Sequence, residues 1–413
     1  LRFLLRKASI TVLFLALSAA AQTPPQLWQA ARAAYDKKDF AAFLGSMETL
    51  VRLLPRHPAV AHNYAAALAL NGRGDDAMAE LRRIAAMSVA DDLSDHDFDA
   101  LRSREDFHAL ERDVDALRHR HISHASIRFR LPKDLLTEAI AYDAKTKSFF
   151  VSANRPRKIV RIDARGRVSD FVKPADGFWG ANGLAVDAKR RLLWASSRAI
   201  IRGGKVDKAE EKETAVWAFD LDTGGVVKRL TPPAGANALD DLTLASDGTL
   251  YVSDSQGAVL TLPPDANELQ LFVPRGAIRS SQGQTIHGRL LYVADYGGGV
   301  AVVDRDTRDV THLALPPDFP AYGIDGLAYA NGWLYAVQNG VEPNRVVRLH
   351  LAPAGLRADR WEIVEMNHPL MDEPTIGVVA GDQYVFIAAS QGNKFDDGKL
   401  GELHESIIMG VHL

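Results

Sequence analysis

The sequence predicts a mainly β protein, a six-bladed β-propeller whose N-terminal strand closes the last blade, preceded by an α-helical domain. Three observations carry this: apolar residues at helical spacing up to about residue 120, a switch to short alternating runs after residue 124, and a strand-pair unit that recurs six times. With 413 residues, 47% of them hydrophobic, the chain can fill more than one core.

Residues 1–21 carry Arg2, Arg6 and Lys7, then an apolar run, then Ala19-Ala20-Ala21. This is the three-part pattern of a secretory signal, with cleavage expected after Ala21. The run is short for a membrane span of roughly 20 residues, and no later stretch reads as a span. Leu1 reads as a non-ATG start codon translated literally, which points to a bacterial source and makes the expected location periplasmic or secreted. The sequence has no cysteine, which excludes disulfides, thiolate chemistry and Cys-ligated zinc. Loss of the signal takes three of the 49 basic residues and leaves 46 against 52 acidic, a net charge of −6. A nucleic-acid partner wants a basic surface, so none is expected.

The helical domain is read over residues 24–121. Trp28, Ala31, Tyr35, Phe40, Phe43, Met47 and Leu50 fall on helical faces, Asn71-Gly72 marks a turn, and Tyr35 and Leu68 lie 33 residues apart. The stretch resembles tetratricopeptide repeats, whose period is about 34. Two repeats and a degenerate third unit, "DLSDHDFDALRSREDFHAL", are visible. Such stacks recruit a protein partner or pack as a cap on a neighbouring domain; the spacing allows both.

The propeller is read over residues 124–413. Its units begin at Glu138, Asn182, Asp240, Gln282, Asp325 and Glu373, at spacings of 44, 58, 42, 43 and 48 residues, the length of a four-stranded blade. The long second interval holds the charged insertion "GGKVDKAEEKE". The sixth unit lacks one strand, and "ASIRFRLP" at 125–132 supplies a spare one, so closure leaves no open edge.

In a blade, the start of the innermost strand and the end of the second share one face of the disc. The six leading residues should therefore ring one channel mouth, with Asn154, Asp254, Asp295, Asn339 and Gln391 as an outer polar ring. Four of the six are carboxylates, and like charges held close together raise one another's pKa unless something neutralises them. A hard cation on carboxylate and amide oxygens resolves this, and Ca²⁺ tolerates an irregular oxygen set better than Mg²⁺. Hydrogen bonding to strand ends or trapped water is the alternative.

On these residues the propeller resembles the family of senescence marker protein 30, gluconolactonase and strictosidine-synthase-like proteins. The resemblance implies a divalent ion, Ca²⁺ above all, held by a first-blade Glu, middle-blade Asn residues and a fifth-blade Asp. Glu138 in "TEAIAYD" matches that Glu, and Asp325 in "GIDGLAY" matches that Asp. Asp240 and Gln282 stand where the family has Asn, and Asn182 is a further ligand position.

A cation with an open position polarises a lactone or ester carbonyl as water attacks. Asp325 is the expected base or nucleophile. Trp179, Asn154, Asp254, Asp295, Asn339 and Glu373 are expected to line the substrate, with Phe178, Trp179 and Tyr296 as an aromatic wall. Aromatics packed between blades are the other reading. No phosphate loop and no G-x-S-x-G elbow occur. The expected function is a periplasmic metal-dependent hydrolase of a small lactone or ester. The alternative is a non-catalytic platform whose helical repeats recruit a protein partner.

Overall fold

The computed structural model describes residues 22–174, 178–199, 213–396 and 399–413; the expected signal, and the insertion after Arg202 except its last residue, lie outside the described residues. The chain opens with α1 (Pro24–Asp36), α2 (Phe40–Leu53), α3 (Pro58–Leu70) and α4 (Gly74–Ala86), then a 3-10 turn over His96–Leu101 and α5 (Glu105–His119). Local chemistry sets the starts: Thr23 and Gln26 form a capping box ahead of Pro24, and Asp39 accepts from the Ala42 N–H at 3.1 Å. Helices α1 and α3 begin 34 residues apart, as do α2 and α4. Of the periodic residues, Ala31, Phe43, Met47 and Leu50 join Leu27 in one buried cluster, whereas Trp28 and Tyr35 are exposed and Phe40 is half-buried. The third unit is a 3-10 turn and a single helix.

Six antiparallel blade sheets follow among the described residues, the fifth with five strands and the others with four, in consecutive order except for that added strand and the last blade; a further two-stranded sheet pairs Phe395–Asp396 with Lys399–Leu400. The innermost strands of the last blade, Gly377–Ala380 and Gln383–Ala389, are followed outward by Ser406–His412 and then by Ser126–Leu131, which pairs with the C-terminal strand. The propeller is closed by its N-terminal strand. Blade five gains an unexpected fifth strand, Ile122–Ser123, on the edge of Ala358–Met366. Second strands such as Leu290–Asp295 and Leu250–Asp254 are buried throughout because each lies between neighbouring blades.

The helical front sits against blade five. Val341 joins its buried cluster, the Ala90 N–H donates to Glu342 O at 2.7 Å, and Arg56 Nη1 donates to Leu315 O at 2.7 Å. At the seam Arg345 is fully buried. Its guanidinium donates to Gln338 Oε1 at 2.8 Å, to Ser88 O at 2.8 Å and, more weakly, to Met87 O.

Hairpin aspartates lock the blade edges. Buried Asp143 accepts from Lys145 N at 3.1 Å, Thr146 Oγ1 at 2.8 Å and, across to blade two, Arg191 Nη1 at 3.0 Å. Burial pushes its pKa up, but these donors outweigh it and hold the carboxyl below its ordinary value. A depressed folded pKa gives stability that is complete above the unfolded value, about 3.9, and lost as pH falls through the folded one. Asp143→Asn is therefore expected to melt below the wild type at pH 7, by about 1–3 kcal/mol, and the gap should close below about pH 4. Thermal melts across pH check this.

Candidate metal and substrate site at the channel mouth

The inner strands break register where they approach the mouth. The ladder skips between Thr137 and Ile140 in blade one, Leu239 and Leu242 in blade three, Ser281 and Gln284 in blade four, and Ile324 and Leu327 in blade five. Within these breaks lie Glu138, Asp240, Gln282 and Asp325. A residue freed from the ladder can be re-aimed, and all four line one cavity of about 690 Å³.

The backbone explains the polar-Gly pairs in the sequence. A Cβ on Gly283 would lie 2.4 Å from Asp325 O, and one on Gly326 would lie 2.8 Å from Thr375 O. In blades two, four and five adjacent inner strands approach so closely that only glycine fits after the polar residue. Blades one, three and six carry Ala139, Asp241 and Pro374 there instead, and the Asp241 carboxylate reaches sideways to accept from the Gln284 N–H at 3.0 Å.

All six leading residues, Glu138, Asn182, Asp240, Gln282, Asp325 and Glu373, border the cavity, together with Asn154 and Asn339 from the second-strand ends. Glu373 holds a left-handed backbone, φ +54°, which a non-glycine residue rarely adopts. Asn339 Nδ2 donates to Asp325 Oδ2 at 2.7 Å and to Pro374 O at 3.0 Å, while Tyr296 O–H donates to Asn339 Oδ1 at 3.1 Å. Asn182 donates to Leu239 O at 3.2 Å, and Gln282 Nε2 donates to Ser280 Oγ at 2.9 Å.

Five expected positions lie elsewhere. Asp254 and Asp295 are fully buried and turned from the cavity. Asp254 accepts from the Gln256 N–H at 2.8 Å and faces Arg275; Asp295 accepts from Ser280 N at 3.1 Å and pairs with Arg279. Trp179 lies under the Arg229 guanidinium, 5.4 Å from its ring centroid, and neighbouring Phe178 packs edge-on against Trp217 and Phe219. The aromatics of this loop fill blade two, whereas Tyr296 does face the cavity. Gln391 is buried and holds the His404 backbone.

Sequence reasoning missed two charged groups. Blade two ends its second strand in Arg198, which lines the cavity. Asp241 lies buried where blades two, four and five have glycine, and that departure is a readable signal. Burial raises Asp240 to about 6, with Arg198 opposing and Asp254 adding. Burial raises Asp241 to about 8, against the hydrogen bonds from Gln284 and Leu242 and with the charges of Asp240 and Asp325 adding.

The donor set fits a hard cation. Everything the leading residues offer is oxygen, from four carboxylates and two amides, the chemistry that Ca²⁺ takes. Among the described residues no three acidic or histidine side chains converge closely enough to hold an ion alone. The amide oxygens of Asn182 and Gln282 would have to complete such a set.

No family model and no curated protein matches the chain. Solved structures do. A gluconolactonase from Xanthomonas campestris is 18% identical over 70% of this chain and 89% of its own, with a TM-score of 0.48. A virginiamycin B lyase from Staphylococcus aureus is 15% identical over 68% and 87%, with a TM-score of 0.46. A structure of a nidogen/laminin complex is 14% identical over 57% and 81%, with a TM-score of 0.43. Likeness at this level carries no chemistry over to the chain.

Proposed function

We propose that the protein is a divalent-cation-dependent hydrolase of a small lactone or ester, working in the periplasm or outside the cell, with Ca²⁺ as the preferred ion. The observation that carries the reading is the set of register breaks that turns Glu138, Asp240, Gln282 and Asp325 into one cavity. Glu138, Asn182, Asp240, Gln282 and Asp325 would hold the ion. When bound, it supplies Lewis-acid polarisation of the carbonyl. Asp325 is oriented by Asn339, itself fixed by Tyr296, so its carboxylate presents one set geometry for taking a proton from the attacking water. The cavity is of the size that encloses a small ligand.

One observation favours the second reading, a binding platform. The helical front carries its own cavity of about 280 Å³, bordered by exposed Trp28 and Tyr35, a surface suited to a protein partner. A panel of lactones and aryl esters, assayed with Ca²⁺ and after chelation, separates the two. The hydrolase reading expects turnover that chelation removes and Ca²⁺ restores; no turnover of any panel member would leave the platform.

A further inference from the structure

Arg198 ends the second strand of blade two and borders the same cavity as the acidic ring, the one Lys, Arg or His to do so among the described residues. Four carboxylates share that cavity, yet no ion pair within 4.0 Å joins Arg198 to any described acid. Its side chain donates from Nη1 to Ser255 Oγ at 3.2 Å, and its Nε is buried with no hydrogen-bond partner. A guanidinium N–H shut away from water without an acceptor is costly. A planar oxyanion in the cavity suits the accessible part of the guanidinium best, because its fork matches the two oxygens of a carboxylate.

We propose that the ligand of this cavity carries a free carboxylate, which Arg198 takes through the part of its guanidinium that borders the cavity while the rest of the molecule reaches the acidic ring. The inference rests on the hydrolase reading for the reactive end of the substrate, which becomes a lactone or ester bearing a separate acid group. Arg198 is then a specificity residue: it selects the substrate by charge and fixes its orientation across blades two and three. The four carboxylates repel an anion, so the acid group is welcome only when a divalent cation offsets them, and its binding is expected to depend on Ca²⁺.

The test uses the full chain with the signal removed, with and without Ca²⁺, and a pair of stable probes that differ in charge alone, glucuronate and glucuronamide. Calorimetry is expected to show the acid binding at least about tenfold tighter than the amide in Ca²⁺. Arg198→Gln should erase the preference, and Arg198→Lys should keep part of it, with melting temperatures confirming that both variants fold. Equal affinity for acid and amide, no measurable binding of the acid, or a preference that survives in Arg198→Gln overturns the proposal. Turnover of paired lactones with and without a free carboxylate separates this from the parent reading. An acid preference without hydrolysis of any lactone keeps the anion pocket and removes the hydrolase. Hydrolysis of neutral lactones at equal rates by wild type and Arg198→Gln does the reverse.

Discussion

Asp325→Ala is expected to lose hydrolysis by about 10²–10⁴-fold, the usual contribution of a positioned acid-base group, and to lose Ca²⁺ binding with it. The carboxylate is the member of the ring with the best-defined support: Asn339 donates to it at 2.7 Å, and Tyr296 holds Asn339 from behind. Truncation also frees the Asn339 amide, which keeps its second bond to Pro374 O. Asp325→Asn is the sharper variant, since it keeps an oxygen for Asn339 and removes the charge. If the role is chemical, both variants stay folded at neutral pH and both fail. Full turnover in Asp325→Asn would show that the charge is not used. Tyr296→Phe, which removes only the hydroxyl behind Asn339, is expected to lower turnover by about 10–100-fold, the range for groups that orient a ligand from behind.

Arg345→Met is expected to give the largest loss of stability. The guanidinium lies fully buried at the seam, burial pulls its pKa down to about 9, and no carboxylate among the described residues pairs with it. It is held instead by Gln338 Oε1 and the carbonyls of Met87 and Ser88, the loop after α4. Two effects oppose each other on substitution. Removing a buried charge is favourable in itself, but at least two buried acceptors lose their donor at about 1–3 kcal/mol each. The acceptors win, because backbone carbonyls cannot be repacked away. A net loss of about 2–5 kcal/mol is expected, read as a lower melting temperature. Because the contact joins the helical front to blade five, limited proteolysis should also cut sooner between α4 and the first propeller strand. An unchanged melt and unchanged cleavage would show that the seam is held elsewhere.

Much of the propeller was legible because its signal repeats. Six polar-apolar-turn-aromatic units fix six strand pairs, and strand direction alone then puts Glu138, Asn182, Asp240, Gln282, Asp325 and Glu373 at one mouth, where the structure places them. The missing strand of the last unit and the spare one at 125–132 likewise match the closure seen between Ser126–Leu131 and Ser406–His412. Side-chain direction at the second-strand ends was not legible. A residue there can face the cavity or turn back into the next loop, and Asp254 and Asp295 turn back because backbone N–H groups and Arg275 or Arg279 offer more than the open cavity does. Arg198 stayed hidden because a basic residue breaks the Asn/Asp pattern that marked the other blades. The edge strand Ile122–Ser123 has two residues, too few for any period. Trp179 shows the limit of adjacency: it follows Phe178 beside the mouth in sequence, yet Arg229 draws it onto blade two.

The most direct test of the account is Ca²⁺ titration by calorimetry into the chelated chain, with the melting temperature followed in the same samples. The account predicts one saturable site, a melting temperature that rises with occupancy, and loss of both in Asp325→Ala with the fold retained. No heat of binding and no shift in melting, at millimolar Ca²⁺ on the order of extracellular sites, would contradict it and leave the acidic ring as a hydrogen-bonded collar of the channel.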